Sequence, residues 1–279
     1  MSLMSKLSAT ILISASVFAA TNSEVESFLT RTISKNPSIA SLQVKVVDRV
    51  PLQELKGWDA FVVSLKAKVR QGKKSREVKQ RMIYFANDNV ITSELTDLKT
   101  GRSFRDKIVP EFKPSFYTKD NLVYGNENAK HKVAVFSDPL CPFCRSYVPG
   151  ALEYMKKHPE TFAVYYYHLP LERLHPASPT LVRAAIAAEL QGRKNVMLDL
   201  YKVPTSITRE KNEKKILEVF NKTLNTNLKV ADLHTPAVDA RIKSDENVIE
   251  SMMVNGTPTV FFDGKKDRTK TEYKKVKVQ

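Results

Sequence analysis

Residues 137–144 of the 279-residue chain read Ser-Asp-Pro-Leu-Cys-Pro-Phe-Cys, and this stretch decides the fold. It follows a continuous apolar run at 132–136, Lys-Val-Ala-Val-Phe, which is typical of a strand buried on both faces. After it, residues 144–156 have apolar positions at helical spacing, and residues 162–167 form a second apolar run. The order strand, loop, helix, strand predicts a parallel β-α-β unit and therefore an α/β fold.

The same stretch contains both cysteines of the chain, Cys141 and Cys144. Two cysteines at this spacing, where a strand gives way to a helix, can close a disulfide and open it again. Cys141 falls at the predicted helix N-terminus, where unpaired N–H groups and the helix dipole favour a thiolate. We therefore expect Cys141 to be the attacking thiol and the shielded Cys144 to resolve the mixed disulfide. Pro142 suits the first helical turn, and Phe143 places no positive charge beside Cys141.

Three other interpretations of the cysteine pair were weighed against redox activity. A structural disulfide here closes so short a loop that it would stabilise little. A c-type haem site needs histidine directly after the second cysteine, and Arg145 is there instead. A zinc site needs two further ligands, and no ligand-pair spacing is found among His131, His168, His175 and His234. Redox activity is favoured over all three, and neither a metal nor an organic cofactor is expected.

Three stretches of the chain resemble the bacterial Dsb proteins of the thioredoxin superfamily. Residues 137–144 are similar to the Dsb active-site region. Residues 124–129, Tyr-Gly-Asn-Glu-Asn-Ala, are similar to the approach to the first catalytic-domain strand in DsbA-type members. Residues 254–259, Val-Asn-Gly-Thr-Pro-Thr, resemble the loop that holds the cis-proline of the superfamily. The resemblance implies a thioredoxin-like catalytic domain, predicted here at 122–279.

The resemblance also implies roles for two residues near the end of the chain. Pro258 is expected to be cis and to face Cys141, with Thr257 beside the redox pair. A cis peptide bond is least costly before proline, and its exposed backbone groups would bind a substrate strand. The mostly helical residues at about 180–253 correspond to the helical insertion of Dsb catalytic domains.

Two features depart from the family pattern. The strand residues 133–135 include no buried acid, whereas thioredoxin and DsbA keep a carboxylate there for proton transfer. The final helix of the family is also missing from the prediction. Residues 259–262 are expected to form a strand, and residues 273–278 its hairpin partner, within a basic tail.

The N-terminal part, 21–108, is predicted to be a small α+β domain. Strict alternation of apolar and charged residues at 63–70 predicts a half-buried strand, and 78–85 returns as a second strand. Its place and size resemble the N-terminal dimerisation domain of the DsbC/DsbG proteins. A homodimer is therefore expected, because a domain of this size builds a small core alone.

Helix and linker boundaries complete the predicted organisation. Ser23–Ile33 has helical spacing, with Ser23 as the N-cap and Glu26 three residues later, as in a capping box. Residues 109–121 are predicted to be a linker, because Pro110 and Pro114 interrupt the pattern there.

The first 20 residues predict export. Lys6 precedes an apolar run at 7–20 that is short for a membrane span and ends in small residues, as in a cleaved signal peptide. An uncleaved anchor is the alternative. The mature protein is then expected in the periplasm. The net charge of +15 is spread along the chain without a nucleic-acid motif, so no nucleic-acid partner is expected.

Together these observations predict an exported thiol:disulfide oxidoreductase of the DsbC/DsbG kind, acting as isomerase or reductase. Its expected partners are exported proteins that contain cysteines, a membrane-bound Dsb protein that supplies electrons, and a second copy of the chain. Two alternatives are kept: a DsbA-like oxidase that introduces disulfides, and a holdase chaperone in which the redox pair is secondary.

Overall fold

The computed structural model describes residues 20–72 and 74–278. The predicted signal peptide, except Ala20, therefore lies outside the described residues. The chain divides into two units, and the boundary falls between Ile108 and Val109. Within the described residues, every helix is too short or too polar to cross a lipid bilayer.

The first unit is one helix on a four-stranded antiparallel sheet. Its strands pair in chain order, so the sheet is a meander. The predicted alternation is confirmed in the second strand, where Val63, Leu65 and Ala67 are buried while Lys66 and Lys68 are exposed. Its elements are α1 (Asn22–Ile33), β1 (Ile39–Pro51), β2 (Asp59–Gln71), β3 (Lys74–Ala86) and β4 (Ile91–Thr92).

The capping box of α1 differs from the predicted one. Thr21, not Ser23, is the N-cap, because its backbone is extended and its side chain accepts from the backbone N–H of Glu24. The Glu24 carboxylate accepts in return from the Thr21 N–H at 2.7 Å. Glu26, the predicted capping partner, instead extends its side chain to the sheet, where its Oε1 accepts the Val46 N–H of β1 at 2.8 Å.

The second unit is built on a five-stranded sheet in the order β5-β7-β6-β8-β9. Strands β6 and β7 are parallel, as predicted, and the other neighbours are antiparallel. Its elements are β5 (Leu122–Tyr124), β6 (His131–Ser137), α2 (Pro142–Lys156), β7 (Phe162–His168), α3 (Ser178–Leu190), α4 (Val196–Leu200), α5 (Glu213–Leu224), α6 (Pro236–Ser251), β8 (Thr259–Phe262) and β9 (Lys265–Lys266).

Both faces of this sheet are covered, which explains the continuous apolar runs. Val133 and Val135 of β6 contribute to a core with α2 and the inserted helices α3, α4 and α5. Ala134 and Phe136 point the other way, into a second core with residues of α6. Successive strand side chains alternate between faces, so a strand covered on both sides is apolar throughout. The α/β prediction is confirmed, with a helical insertion between β7 and α6.

Residues 109–121, predicted to be a linker, are packed on the second unit. The Phe112 N–H donates to the Gly264 carbonyl at 2.7 Å. The Phe112 ring is buried, with its centroid 5.6 Å from that of Tyr167 and 5.5 Å from that of Phe261. The free energy gained by burying this aromatic ring outweighs the cost of ordering the irregular backbone that the prolines impose.

The predicted hairpin partner at 273–278 is wrong. The partner of β8 is the two-residue strand β9, which follows the Asp263–Gly264 turn directly. Glu272–Lys274 instead forms a 3-10 helix that buries Tyr273. The hairpin is short because Asp267 ends it: its carboxylate accepts the N–H groups of Lys270 and Glu272.

Candidate active site

A buried aspartate shapes the loop that joins β6 to α2. The Asp138 carboxylate accepts the Leu140 N–H at 2.7 Å, the Leu171 N–H at 2.6 Å and the Ser178 hydroxyl at 2.7 Å. His175 Nδ1 lies 3.1 Å from Asp138 Oδ2. These bonds connect the loop to the segment after β7 and to the start of α3. The bond to Leu140 closes a local turn of the kind that aspartate favours, whereas the bonds to Leu171 and Ser178 depend on the fold.

Cys141 is the N-cap residue of α2, and Pro142 occupies the first turn. Its backbone is extended (φ −67°, ψ 123°), and its side chain makes no capping hydrogen bond to the helix. The thiol donates to the Thr257 carbonyl at 3.7 Å. The residue retains 5% exposure. Cys141 therefore stands at a helix start, where backbone N–H groups have no partner within the helix.

Cys144 lies inside the first turn of α2 and is 0% exposed. Burial raises the pKa of its thiol to about 11, because the thiolate loses its hydration. The Asp138 backbone and then the Ser137 side chain oppose this by hydrogen bonding to the sulfur. Both cysteines are free thiols. Cys141 thus keeps a small exposed fraction, whereas Cys144 has none.

The loop before β8 brings Thr257 to the cysteines. Strand β8 pairs with β6, with Thr259 opposite Phe136, so the residues before Thr259 lie beside the end of β6. The peptide bond between Thr257 and Pro258 is cis. The Thr257 hydroxyl is buried and forms no hydrogen bond of normal geometry among the described residues. Among the groups that lower the Cys144 pKa, the Thr257 side chain has the smallest effect.

A chain of three hydroxyl groups lies behind Cys144. Ser137 Oγ is 2.6 Å from the Tyr201 hydroxyl, which is 2.7 Å from the Tyr166 hydroxyl. All three residues are buried. Ser137 ends β6, Tyr166 belongs to β7, and Tyr201 follows α4 in the helical insertion. These residues have no signal in the sequence, because only the fold brings Tyr201 to the end of β6.

The remaining predicted site residue, Phe143, projects from the site. Its side chain is 75% exposed, between two buried cysteines. Two of the histidines considered as zinc ligands have acidic partners away from the cysteine pair: His131 bonds to Asp263, and His234 to Glu213. In the described part of the chain, no three histidine, cysteine or acidic side chains are grouped to hold a metal ion.

Several curated proteins are similar to part of this chain. The Na(+)/H(+) antiporter NhaA 1 of Mycolicibacterium gilvum (strain PYR-GCK) is 28% identical over 153 residues, which are 52% of this chain and 24% of the antiporter. The namesake antiporter of Mycobacterium sp. (strain KMS) is 27% identical over 160 residues, again 24% of its length. The chain thus spans about a quarter of the length of the curated relatives it matches.

Solved structures are similar over about half of the chain. A thioredoxin-like oxidoreductase from Silicibacter pomeroyi DSS-3 has a TM-score of 0.46 at 23% identity, covering 54% of this chain and 84% of its own. Pseudomonas aeruginosa DsbA2 has a TM-score of 0.39 at 20% identity, and the match covers 54% of this chain and 89% of DsbA2. Proteus mirabilis ScsC in a transitional conformation has a TM-score of 0.45 at 17% identity, and the match covers 58% of this chain and 71% of ScsC.

A family model described as thioredoxin matches residues 117–279. This range is more than half of the chain and contains the sheet of β5 to β9, the cysteine pair and the cis-proline loop. It begins close to Val109, where the second unit starts. The chain therefore belongs to the thioredoxin family.

Proposed function

We propose that this protein is a thiol:disulfide oxidoreductase that reduces or isomerises protein disulfides through Cys141 and Cys144. One observation carries the proposal: the Cys141 thiol stands at the start of α2, 3.7 Å from the Thr257 carbonyl, while Cys144 is fully buried one turn further on. An attacking thiol needs access and a stabilised thiolate, and a resolving thiol needs protection from solvent and proximity.

The reaction balances without a cofactor. The Cys141 thiolate attacks one sulfur of a substrate disulfide, and the other substrate sulfur leaves with the electron pair of the broken bond. The Cys144 sulfur then attacks Cys141, releases the second substrate thiol and leaves an enzyme disulfide. In isomerisation, the released substrate thiolate attacks another substrate disulfide and frees a new thiolate. That thiolate attacks the substrate sulfur of the mixed disulfide, and Cys141 leaves as a thiolate. After reduction, a partner dithiol must return two electrons.

The chemistry around Cys141 supports substrates that are protein chains. The Phe143 side chain is a large exposed apolar group next to the thiols, and it suits apolar segments that incompletely folded proteins expose. The Thr257 carbonyl faces Cys141 and is a backbone acceptor for a substrate strand. We propose that the substrates are exported proteins in the periplasm and that the electron donor is a membrane-bound Dsb protein.

Isomerase or reductase is proposed over oxidase because of the residue before the cis-proline. Thr257 resembles the isomerase branch of the Dsb proteins, whereas DsbA-type oxidants usually have valine there. A hydroxyl group can interact with sulfur, and a valine cannot. Phe143 also provides no cation beside Cys141, so the disulfide should be less oxidising than that of the most oxidising Dsb proteins.

Two assays test this function. The purified dithiol protein should reduce insulin and should reactivate ribonuclease with scrambled disulfides, and Cys141→Ser should abolish both activities. A wild-type protein without either activity would contradict the proposal. Retention of anti-aggregation activity in Cys141→Ser would favour the chaperone alternative, and a mostly oxidised pool trapped in cells would favour the oxidase.

We also propose that the first unit forms the contact of a homodimer. Strand β1 lies at one side of the sheet order, and β4 covers only the end of β3, so both sides offer unpaired backbone. Exposed apolar side chains accompany these edges: Phe28 on α1, Val47 on β1 and Val78 on β3. Pairing of edge strands and burial of such groups is a common way to form a dimer.

A further inference from the structure

The hydroxyl groups behind Cys144 form one continuous hydrogen-bonded row. From the sulfur outward, the row is Ser137 Oγ, the Tyr201 hydroxyl and the Tyr166 hydroxyl, with neighbouring oxygens 2.6 Å and 2.7 Å apart. Cys144, Tyr166 and Tyr201 belong to one buried cluster, and the Ser137 side chain lowers the pKa of the Cys144 thiol. Because Cys144, Tyr166 and Ser137 are fully buried, water does not take the place of these hydroxyls.

Other polar groups also act on Cys144: the Asp138 backbone lowers the pKa of its thiol more than Ser137 does, and the Thr257 side chain lowers it less. The Asp138 carboxylate already accepts three hydrogen bonds and faces His175. Arg145 donates to the Pro139 carbonyl at 3.0 Å. Cys141 is a further titratable neighbour, and its interaction with Cys144 raises the Cys144 pKa.

We propose that Tyr166, Tyr201 and Ser137 act as a relay of donors that stabilises the Cys144 thiolate during resolution of the mixed disulfide. This inference rests on the proposed function and assigns three positioning residues to it. Tyr166 donates to Tyr201, Tyr201 donates to Ser137 Oγ, and the serine O–H is thereby turned toward the sulfur. Hydrogen bonds in such a row polarise one another, and a bond to an ionised acceptor is stronger than a neutral one.

The tyrosines serve as donors and do not ionise. Burial raises the pKa of both phenols far above the usual value for tyrosine, so each keeps its proton at any physiological pH. In the resolution step, the Cys144 sulfur forms a bond to Cys141, and the bond between Cys141 and the substrate sulfur breaks. The proton that Cys144 loses ends on the departing substrate thiolate, so atoms and electrons balance.

A chromogenic aromatic disulfide that releases nitrothiobenzoate tests the relay in the full chain. Attack by Cys141 releases a first nitrothiobenzoate anion, and closure by Cys144 releases a second, so stopped-flow absorbance separates the two phases. With this probe the Cys144 proton passes to solvent. The rate of the second phase is measured as a function of pH for the wild type and for four variants. These are Ser137→Ala, Tyr201→Phe, Tyr166→Phe and the double variant that combines Ser137→Ala with Tyr201→Phe.

We expect Ser137→Ala to slow the second phase about tenfold at neutral pH and to move its pH midpoint up by about one unit, since a hydrogen bond to a charged group is lost. Tyr201→Phe should slow it about threefold and Tyr166→Phe less, because they act through Ser137. The double variant should be no slower than Ser137→Ala, since residues that act in series are not additive. The first phase should be unchanged in all variants.

Tyr147→Phe is the matched control. The Tyr147 hydroxyl is also buried and on α2, but it has no hydrogen-bond partner among the described residues. The proposal is overturned if Tyr201→Phe behaves like this control, if both phases slow equally, or if the double variant shows additive effects. Thermal melting identifies a Ser137→Ala protein that fails to fold, and the isosteric Tyr201→Phe then decides alone. A wild-type protein without a second phase would contradict the proposed function instead.

Discussion

At the scale of single residues, the two thiols differ through their surroundings and not through their chemistry. Cys141 precedes the helical turn that contains Cys144, so one sulfur meets the helix N-terminus and the other the core. The core position raises the pKa of Cys144 because of desolvation, and neighbouring hydroxyl and backbone groups oppose this only in part. A difference in reactivity follows from position along one helix.

This difference predicts the order of alkylation. Iodoacetamide at pH 8 should modify Cys141 first, because Cys144 is fully buried and its pKa of about 11 leaves it protonated at that pH. Mass spectrometry of the peptides gives the rate at each position. In Cys144→Ala, mixed disulfides with substrate proteins should accumulate, since the resolving sulfur is missing. Faster labelling of Cys144 than of Cys141 would reverse the assigned roles.

A second residue-scale prediction concerns Glu189, on α3. Burial raises the pKa of its carboxyl to about 7, and Arg241 opposes this only in part. The folded state therefore holds a proton that the unfolded state releases at lower pH, and stability falls as pH rises between about 4.5 and 7. Glu189→Gln should be more stable than the wild type at pH 8, by about 2 kcal/mol, and close to it at pH 4.5.

Urea unfolding of both proteins across this pH range measures the difference. The predicted result is a gap between the two free energies of unfolding that widens with rising pH and becomes constant above pH 7. A constant gap at every pH would show that the Glu189 carboxyl has no unusual proton affinity.

At the scale of secondary-structure elements, local sequence and tertiary contact compete for the same side chains. Helix α1 begins directly after its cap, Thr21, and it buries Val25 and Leu29. Its first turn is then closed by Thr21 and Glu24, and Glu26 is free to bond to β1. The choice between two capping residues two positions apart is thus made by the sheet.

The cap assignment is tested by two alanine variants. Thr21→Ala should lower the free energy of unfolding of the first unit by about 1 kcal/mol, because a helix N–H loses its acceptor. Ser23→Ala, at the position predicted from sequence, should change it by less than about 0.5 kcal/mol. Fluorescence of Trp58, the only tryptophan, reports the first unit's unfolding. Equal losses in the two variants would contradict the observed cap.

The pairing of β5 with β7 depends on a glycine. Gly125 has φ +81°, and a Cβ atom added there would lie 1.8 Å from the Phe162 carbonyl oxygen. Gly125→Ala should therefore cost at least about 3 kcal/mol, because the clash adds to the ~1–2 kcal/mol of a left-handed backbone. Gly192→Ala is the control: its φ is +84°, with open space around the added atom. Thermal melting followed by near-ultraviolet circular dichroism compares them, and equal losses would exclude the clash.

At the scale of the whole molecule, the two units contain separate cores. The residues of one cluster come from α1 and the strands β1 to β4, while two clusters cover the faces of the sheet β5 to β9. Both cysteines lie in the second unit. The first unit has its own exposed apolar groups and open strand edges, so we assign it to assembly.

Light scattering tests this assignment. The protein without its predicted signal peptide should have the mass of a dimer, and residues 109–279 alone should have the mass of a monomer. Phe28→Glu combined with Val47→Glu should shift the full protein toward monomer, since both side chains are exposed apolar groups of the first unit. Leu98→Glu, another exposed apolar position of this unit, is the control. A monomeric wild type would remove the support for a dimeric isomerase.

Residues close in sequence determined much of this protein. The apolar runs at 132–136 and 162–167 were sufficient to predict the parallel strands, because a strand covered on both faces has no polar alternation. The position of Cys141 and Cys144 at a helix start was likewise predicted, because the helix N-terminus is a local feature.

The tertiary structure alone decided which distant groups meet these residues. The Tyr201 hydroxyl reaches Ser137 across 64 positions, Leu171 bonds to Asp138 across 33, and Phe112 packs on the sheet that starts ten residues later in the chain at Leu122. None of these contacts leaves a periodic pattern in the sequence, because each depends on where separate elements pack and not on which face a residue occupies. The cysteine pair is therefore a property of the sequence, and the environment that sets the reactivity of Cys144 is a property of the fold.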